Sequence, residues 1–146
     1  MKPRLKDERG AAILETALVL PLLLLVSVGI FEFGRAYQTW QVITNAAREG
    51  ARVAVLPNST TSDVTSRVRA YLVGGQLSEA NTAGITVNKN VTISIGATNA
   101  TASQVTVSYP FTFVMLQPVA NLVVSGSALG TPITMTAQAE MRNEAQ

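Results

Sequence analysis

The chain has 146 residues, of which only 14% are charged, and its formal net charge is +2. This length allows one modest folded domain plus a membrane segment. The positive charge is too weak and too scattered to indicate nucleic-acid binding. Cysteine and histidine are both absent, which excludes disulfides, thiolate nucleophiles, Cys/His zinc sites and the usual general base.

The first residues combine a basic leader, a glycine and a carboxylate at the start of an apolar run. The leader carries Lys2, Arg4, Lys6 and Arg9, diluted by Asp7 and Glu8. Gly10 follows it, and Glu15 is then the only charge before Glu32. A plain membrane anchor gains nothing from a carboxylate near its start, and ionisable groups inside membrane segments are usually functional. The pattern therefore favours a functional Glu15 over a simple signal anchor.

Residues 11–33 form an apolar stretch long enough to cross a hydrocarbon core of about 30 Å at about 1.5 Å per residue. We expect residues 1–10 to be a cytoplasmic leader, 11–34 a transmembrane helix and 35–146 an extracytoplasmic domain, because the basic leader marks the cytoplasmic side. Pro21 lies inside the span and should kink the helix. A cleaved secretory signal is disfavoured, since Glu15 interrupts the start of its apolar region.

The helical pattern continues beyond the span to about Leu56, where Pro57 should end it. Gly29 and Gly34 leave open a break in this helix. Apolar residues recur at helical spacing on one face, interrupted by Thr44. They are Phe33, Tyr37, Trp40, Ala47, Ala51 and Ala54. We expect this face to cover a sheet.

The remainder indicates an α+β domain. Val64, Val68, Tyr71 and Leu72 predict a short amphipathic helix, with Thr61 or Ser62 as its N-cap. Three later runs alternate apolar and hydroxyl residues, with apolar positions beginning at Val91, Val105 and Ile133. They predict a small antiparallel sheet of three to four strands with one covered face and one wet face. Pro110 should bend or bulge the second strand or place it at an edge.

Residues 111–124 are apolar but lack a clear period. Two alternatives remain open for them. They form either a loop buried against the domain or, as we favour, a surface patch that meets a neighbour or the outer leaflet.

No set of side chains indicates catalysis. The abundant serines and threonines lack a base that could activate them, and the carboxylates do not have the spacing of a calcium loop. We therefore expect no enzyme activity, no metal or other cofactor, and no small-molecule substrate.

Three stretches together resemble the TadE-like minor pseudopilins of bacterial tight-adherence (Flp pilus) systems. They are Arg9-Gly10-x4-Glu15 with Leu20-Pro21-Leu22, residues 30–52 with the run Asn45-Ala46-Ala47-Arg48-Glu49-Gly50-Ala51-Arg52, and the late strands at 105–111 and 133–142. The resemblance covers roughly residues 9–56 and 105–142. Thr16 departs from it, because the processing motif usually has an aromatic residue there, and its effect on cleavage is left open.

The resemblance implies a pilin-like fold and a minor pseudopilin that assists pilus assembly. A prepilin peptidase would cut between Gly10 and Ala11, and Glu15 would guide subunit assembly by neutralising the new amine of another subunit. The implied partners are that peptidase, other pilin and pseudopilin subunits and the bacterial inner membrane, with entry into the fibre or residence at its base left open. The alternative is an unprocessed, membrane-anchored binding or structural domain.

Overall fold

The computed structural model describes residues 7–96 and 98–143. Within these residues, three helices and three strands follow one another. They are α1 (Asp7–Ala54), α2 (Thr61–Gly74), β1 (Gly84–Ile95), β2 (Thr98–Phe111), α3 (Leu116–Val123) and β3 (Ile133–Arg142). The chain divides into two compact units, one formed by the chain up to Arg35 with Thr112–Pro132, and the other by Ala36–Phe111 with the residues from Ile133 onward.

Helix α1 is continuous and runs through both candidate break points. Pro21 lies inside it, and the expected kink there stays a prediction. Hydroxyl groups in its apolar part are satisfied within the helix, since Thr16 Oγ1 donates to the carbonyl oxygen of Ala12 and Ser27 Oγ to that of Leu23, each at 2.8 Å. A polar side chain bonded in this way tolerates an apolar environment. Among the described residues there is one helix, Gly10–Ala54, that is both long enough and apolar enough to cross a membrane.

In the second unit, the last part of α1 packs on the sheet through small residues. Its buried positions are Thr39, Ile43, Ala46, Ala47, Gly50, Ala51 and Ala54. A Cβ on Gly50 would lie 2.5 Å from Val68 Cγ2 of α2 and 3.1 Å from Val105 Cγ1 of β2. Gly50 thus allows two helices and the central strand to approach closely, and the α+β helix-on-sheet arrangement is confirmed.

The sequence prediction of the buried face of α1 is wrong in its first part. Tyr37 and Trp40 are 64% and 44% exposed, whereas Thr39 and Ile43 are buried. Steps from Thr39 to Ile43 and on to Ala46 and Ala47 keep the helical period. Tyr37 instead accepts a hydrogen bond through its hydroxyl from Gln41 Nε2, at 2.7 Å. The predicted face included the large aromatic residues Tyr37 and Trp40. The buried face lies about one quarter of a helical turn away from them.

Helix α2 begins one residue earlier than expected, with Thr60 as its N-cap. Asp63 N–H donates to Thr60 Oγ1 at 3.2 Å, and Thr60 N–H donates to Asp63 Oδ2 at 2.8 Å. This reciprocal capping box satisfies two amide groups at the helix start. Val64, Val68 and Leu72 are fully buried, as their spacing predicted.

The sheet is antiparallel in the order β1-β2-β3. The pairing of β1 with β2 starts at Gly84 and Ser108, while that of β2 with β3 reaches Phe111 and Ile133. Pro110 is therefore paired on one side only, which explains how a residue without an N–H fits in the central strand. Val105 and Val107 are fully buried on the covered face.

In the first unit, residues expected to be irregular form α3. Gly130, at φ +82°, approaches this helix so closely that a Cβ would lie 2.5 Å from the backbone nitrogen of Gln117. Pro118 fits in the first turn, where amide donors have no partner inside the helix. An eight-residue helix makes only about two turns, too few for its period to be detected in a largely apolar stretch.

Candidate processing and assembly site

Gly10 lies in the first turns of α1, and its surroundings are open. It is exposed, and apart from its chain neighbours and the nearby helix backbone no described atom lies within 4 Å of the position that a Cβ would occupy. A helical glycine costs about 1 kcal/mol relative to alanine. Neither packing nor a positive φ requires glycine at this position, so the fold does not account for it.

Glu15 lies one turn beyond Ala11 on the same helix, and both residues are exposed. Among the described residues, none forms a hydrogen bond or ion pair with its carboxylate. Its neighbours three and four residues away on the helix surface are apolar, and of these Leu18 and Val19 are themselves exposed. The structure therefore brings the candidate site residues together on one accessible stretch of helix. The basic residues Lys2, Arg4 and Lys6 of the leader lie outside the described residues.

Glu32, the next carboxylate along α1, has the opposite environment. Its exposed fraction is 0%. Its Oε1 accepts hydrogen bonds from the backbone N–H groups of Val114 at 2.8 Å and Met115 at 2.7 Å. Met115 is the N-cap residue of α3 and supplies no side-chain cap. The Glu32 carboxylate instead binds the amides of the N-cap residue and of the residue before it, at the N-terminal end of α3, where the helix dipole favours a negative charge.

Arg35 completes this polar cluster. Its Nε lies 3.6 Å from Glu32 Oε2, and its Nη2 donates a hydrogen bond to the carbonyl oxygen of Thr112. The two side chains lie one turn apart on α1. Arg35 binds the carbonyl oxygen of Thr112, and Glu32 binds the amides of Val114 and Met115. Together they attach the chain that leads into α3 to the C-terminal end of the apolar span.

The sequence prediction missed the role of Glu32. A signal was present, because Glu32 stands between Phe31 and Phe33 at the edge of the span and has Arg35 three residues later. An ionisable group in such a setting needs a partner. The partner amides are more than 80 residues away along the chain, so no local pattern could identify them.

A second polar cluster lies in the sheet-containing unit. Lys89 Nζ donates to the hydroxyl of Ser59 at 2.7 Å and to the Ser59 carbonyl oxygen, while Asn143 Nδ2 donates to the Lys89 carbonyl oxygen at 3.0 Å. Lys89 lies at the irregularity between Asn88 and Val91 in the β1–β2 register. These groups satisfy one another, so the cluster joins the bulge to neighbouring loops.

Comparison with known proteins gives one family. A model described as TadE-like protein matches residues 10–52. No curated protein and no solved structure matches the chain. The matched residues begin at Gly10, include both Glu15 and Glu32, and end two residues before α1 does. The strands that also contributed to the resemblance lie outside the match. Over residues 10–52, which form most of its long N-terminal helix, this chain is similar to TadE-like proteins, as its sequence predicted.

Proposed function

We propose that this protein is a minor pseudopilin that is processed after Gly10 and assists assembly of a tight-adherence, Flp-type pilus. A TadE-like region supports a role in such pilus systems in general. The observation that carries the finer proposal is Glu15, an exposed carboxylate without a described partner on an otherwise uncharged, apolar part of α1.

An unpaired carboxylate is costly inside a bilayer, so a single subunit gains nothing from Glu15. Cleavage after Gly10 would give Ala11 a free amine, which is cationic at neutral pH. In a low-dielectric assembly, this amine of one subunit and the Glu15 carboxylate of another would neutralise each other. Glu15 therefore acts between subunits, and its lack of a partner among the described residues is consistent with this role.

Gly10 supports the processing step. A peptidase holds its substrate as an extended backbone, and glycine adopts that form at little steric cost. Because Gly10 is exposed in α1 and no described atom outside its own helix backbone lies near its Cβ position, unwinding at Gly10 costs this residue no described tertiary contact. The proposed partners are the membrane prepilin peptidase and other pilin and pseudopilin subunits. The proposed location is the inner membrane with the N-terminus in the cytoplasm.

The rival function is an unprocessed anchor that displays a binding or structural domain. The mass of the purified full-length protein, made with and without the peptidase, separates the two. The pseudopilin begins at Ala11 when the peptidase is present, whereas the anchor begins at Met1 in both cases.

Gly10→Val tests the processing site directly. The bulky β-branched side chain should obstruct the peptidase, which would hold the backbone closely at Gly10, and should leave the leader attached. Gly34→Val is the matched control, because Gly34 lies in the same helix and its Cβ position also has no described atom within 4 Å apart from its chain neighbours and the nearby helix backbone. Maturation of Gly10→Val to Ala11 at the normal rate would contradict the processing proposal.

A further inference from the structure

We propose that α3 and the residues directly after it, 115–124, lie in the lipid leaflet that surrounds the C-terminal end of the transmembrane span. This membrane contact is an interaction surface separate from the span itself. It is independent of whether the leader is removed.

The depth of α3 follows from its attachment to Glu32. The carboxylate of Glu32 holds the backbone amides of Val114 and Met115 at 2.8 and 2.7 Å, so α3 begins at the level of this residue. At the same level, Phe31 and Phe33 are 64% and 68% exposed on the surface of α1. Residues that flank a membrane span and point outward contact lipid or its interface. The start of α3 therefore lies within the same layer.

The surface of α3 has three sides. Leu116 and Ala120 are buried against the protein. Met115, Pro118 and Leu122 share a second side at a spacing of about three to four residues, and all three are exposed. Gln117 and Asn121 form the third side. An exposed apolar side next to a polar side is the pattern of a helix that lies in a membrane interface.

The exposed apolar surface continues past the end of the helix. Val123 and Val124 are exposed, as is Leu129 further along the same unit. No Asp, Glu, Lys or Arg occurs anywhere from residue 90 to residue 139. The segment therefore brings no charge that would have to be desolvated in lipid.

At the attachment point the polar groups are partly satisfied by one another, since Glu32 Oε1 accepts two amide hydrogen bonds and Oε2 lies 3.6 Å from Arg35 Nε without a hydrogen bond. Glu32 is fully buried, Arg35 lies beside it, and Arg35 donates to the carbonyl oxygen of Thr112. Interfacial helices that bind from solution usually need cationic side chains for affinity. Here the covalent span keeps α3 at the bilayer, and a high effective concentration replaces that electrostatic attraction.

Site-specific labels on the full chain test this proposal, since the natural sequence has no cysteine to remove. Leu122→Cys and Met115→Cys report the apolar side of α3, and Asn121→Cys is the matched control on its polar side. Leu22→Cys, exposed near the middle of the span, is the positive control. Each protein carries an NBD fluorophore and is reconstituted in phosphatidylethanolamine–phosphatidylglycerol vesicles. Nitroxide lipids then quench at a shallow or a deep position of the acyl chain.

We expect shallow nitroxides to quench Leu122 and Met115 several times more strongly than Asn121, and deep nitroxides to quench Leu22 most. Equal, weak quenching at Leu122, Met115 and Asn121 would overturn the proposal. A second copy as the occupant would also overturn it, and would appear as shielding of Leu122 that grows with the protein-to-lipid ratio without nitroxide quenching. Circular dichroism identifies a misfolded variant, and the two apolar-side labels then provide independent measurements.

Discussion

The two carboxylates of α1 differ in almost every physical respect although one helix carries both. Glu15 is exposed and has no hydrogen bond or ion pair with any described residue, while Glu32 is fully buried, accepts two backbone hydrogen bonds and lies beside Arg35. A carboxylate that the fold uses has its partners in the same chain. One that assembly uses must leave its position open for another chain. The comparison therefore separates residues that maintain this structure from residues that are available for function.

The same contrast holds between the two halves of α1. Its N-terminal half exposes large apolar residues such as Leu18 and Leu22, whereas its last four turns bury small residues such as Ala47 and Ala51. Changes in the second half should therefore alter folding, and changes in the first half should alter membrane or assembly behaviour.

The largest effect on stability should come from Ala51→Trp. Ala51 is fully buried, and filling a packed contact with an indole should cost at least about 1–3 kcal/mol of unfolding free energy. Arg48→Trp, which places the same side chain on an exposed position of the helix, is the control. Thermal unfolding of the full chain in detergent micelles, followed by circular dichroism, measures both. An unchanged melting temperature for Ala51→Trp would contradict helix-on-sheet packing.

Gly50→Ala should destabilise the protein by about 1–3 kcal/mol despite the higher helix propensity of alanine. The new Cβ would lie 2.5 Å from Val68 Cγ2, and a valine side chain has little freedom to move aside. Gly34→Ala has open space and should instead gain up to about 1 kcal/mol. Opposite shifts in the two melting temperatures would support the claim that α1 is packed at Gly50 and open at Gly34. Stabilisation by both changes would contradict that claim.

Glu32→Ala should release the start of α3, because the amides of Val114 and Met115 lose their acceptor. The cost is about 1–3 kcal/mol for donors left without a partner. Glu32→Gln retains a side-chain carbonyl oxygen and should preserve much of the attachment. Hydrogen exchange of residues 112–124 in the full chain measures this. Equal protection in the wild type and in Glu32→Ala would show that the carboxylate does not hold α3.

The smallest effect concerns acid. Hydrogen bonds from Arg67, assisted by the charges of Arg67 and Arg52, lower the pKa of Glu49, and hydrogen bonds from Thr60 lower that of Asp63. Because both pKa values are lower in the folded state, their stabilisation is complete above the unfolded pKa values. It is lost as the pH falls through the folded ones, below about pH 4–5.

Arg67→Gln should remove part of this acid dependence, because Arg67 Nη2 lies 2.7 Å from Glu49 Oε1 and provides the main shift. The effect is small, since exposed ion pairs contribute little. Melting temperatures between neutral and acidic pH measure it. An identical pH profile for the variant and the wild type would mean that the pair does not contribute.

Local sequence patterns were sufficient to predict an element where that element is long or its apolar residues recur at a regular period. The apolar run, the small-residue helix face at Ala47 and Ala51, the burial of Val64 and Val68, and the alternating strands all follow from side-chain spacing. The family resemblance from Gly10 to Arg52 was likewise carried by local residues.

Long-range partners explain what could not be predicted. Nothing near Glu32 in the sequence indicates that the amides of Val114 and Met115 bind it. Without knowledge of that contact, the α3 segment could be predicted only as an apolar stretch without regular structure. Thr39 is buried although its residue type predicts exposure, and Tyr37 is exposed although its helical spacing predicted that it would cover the sheet. In both cases tertiary packing outweighs the preference of the single residue.

The proposed role of Glu15 between subunits is the central claim. A pilus count in cells that carry only Glu15→Ala tests this role most directly. Protein level, N-terminal mass and melting temperature are measured in parallel, with Glu15→Asp as the charge-retaining control. We expect a normal amount of folded protein that begins at Ala11, together with a marked loss of pili that Glu15→Asp partly restores. Normal piliation by Glu15→Ala at normal protein level would contradict the assembly role and favour the anchored domain.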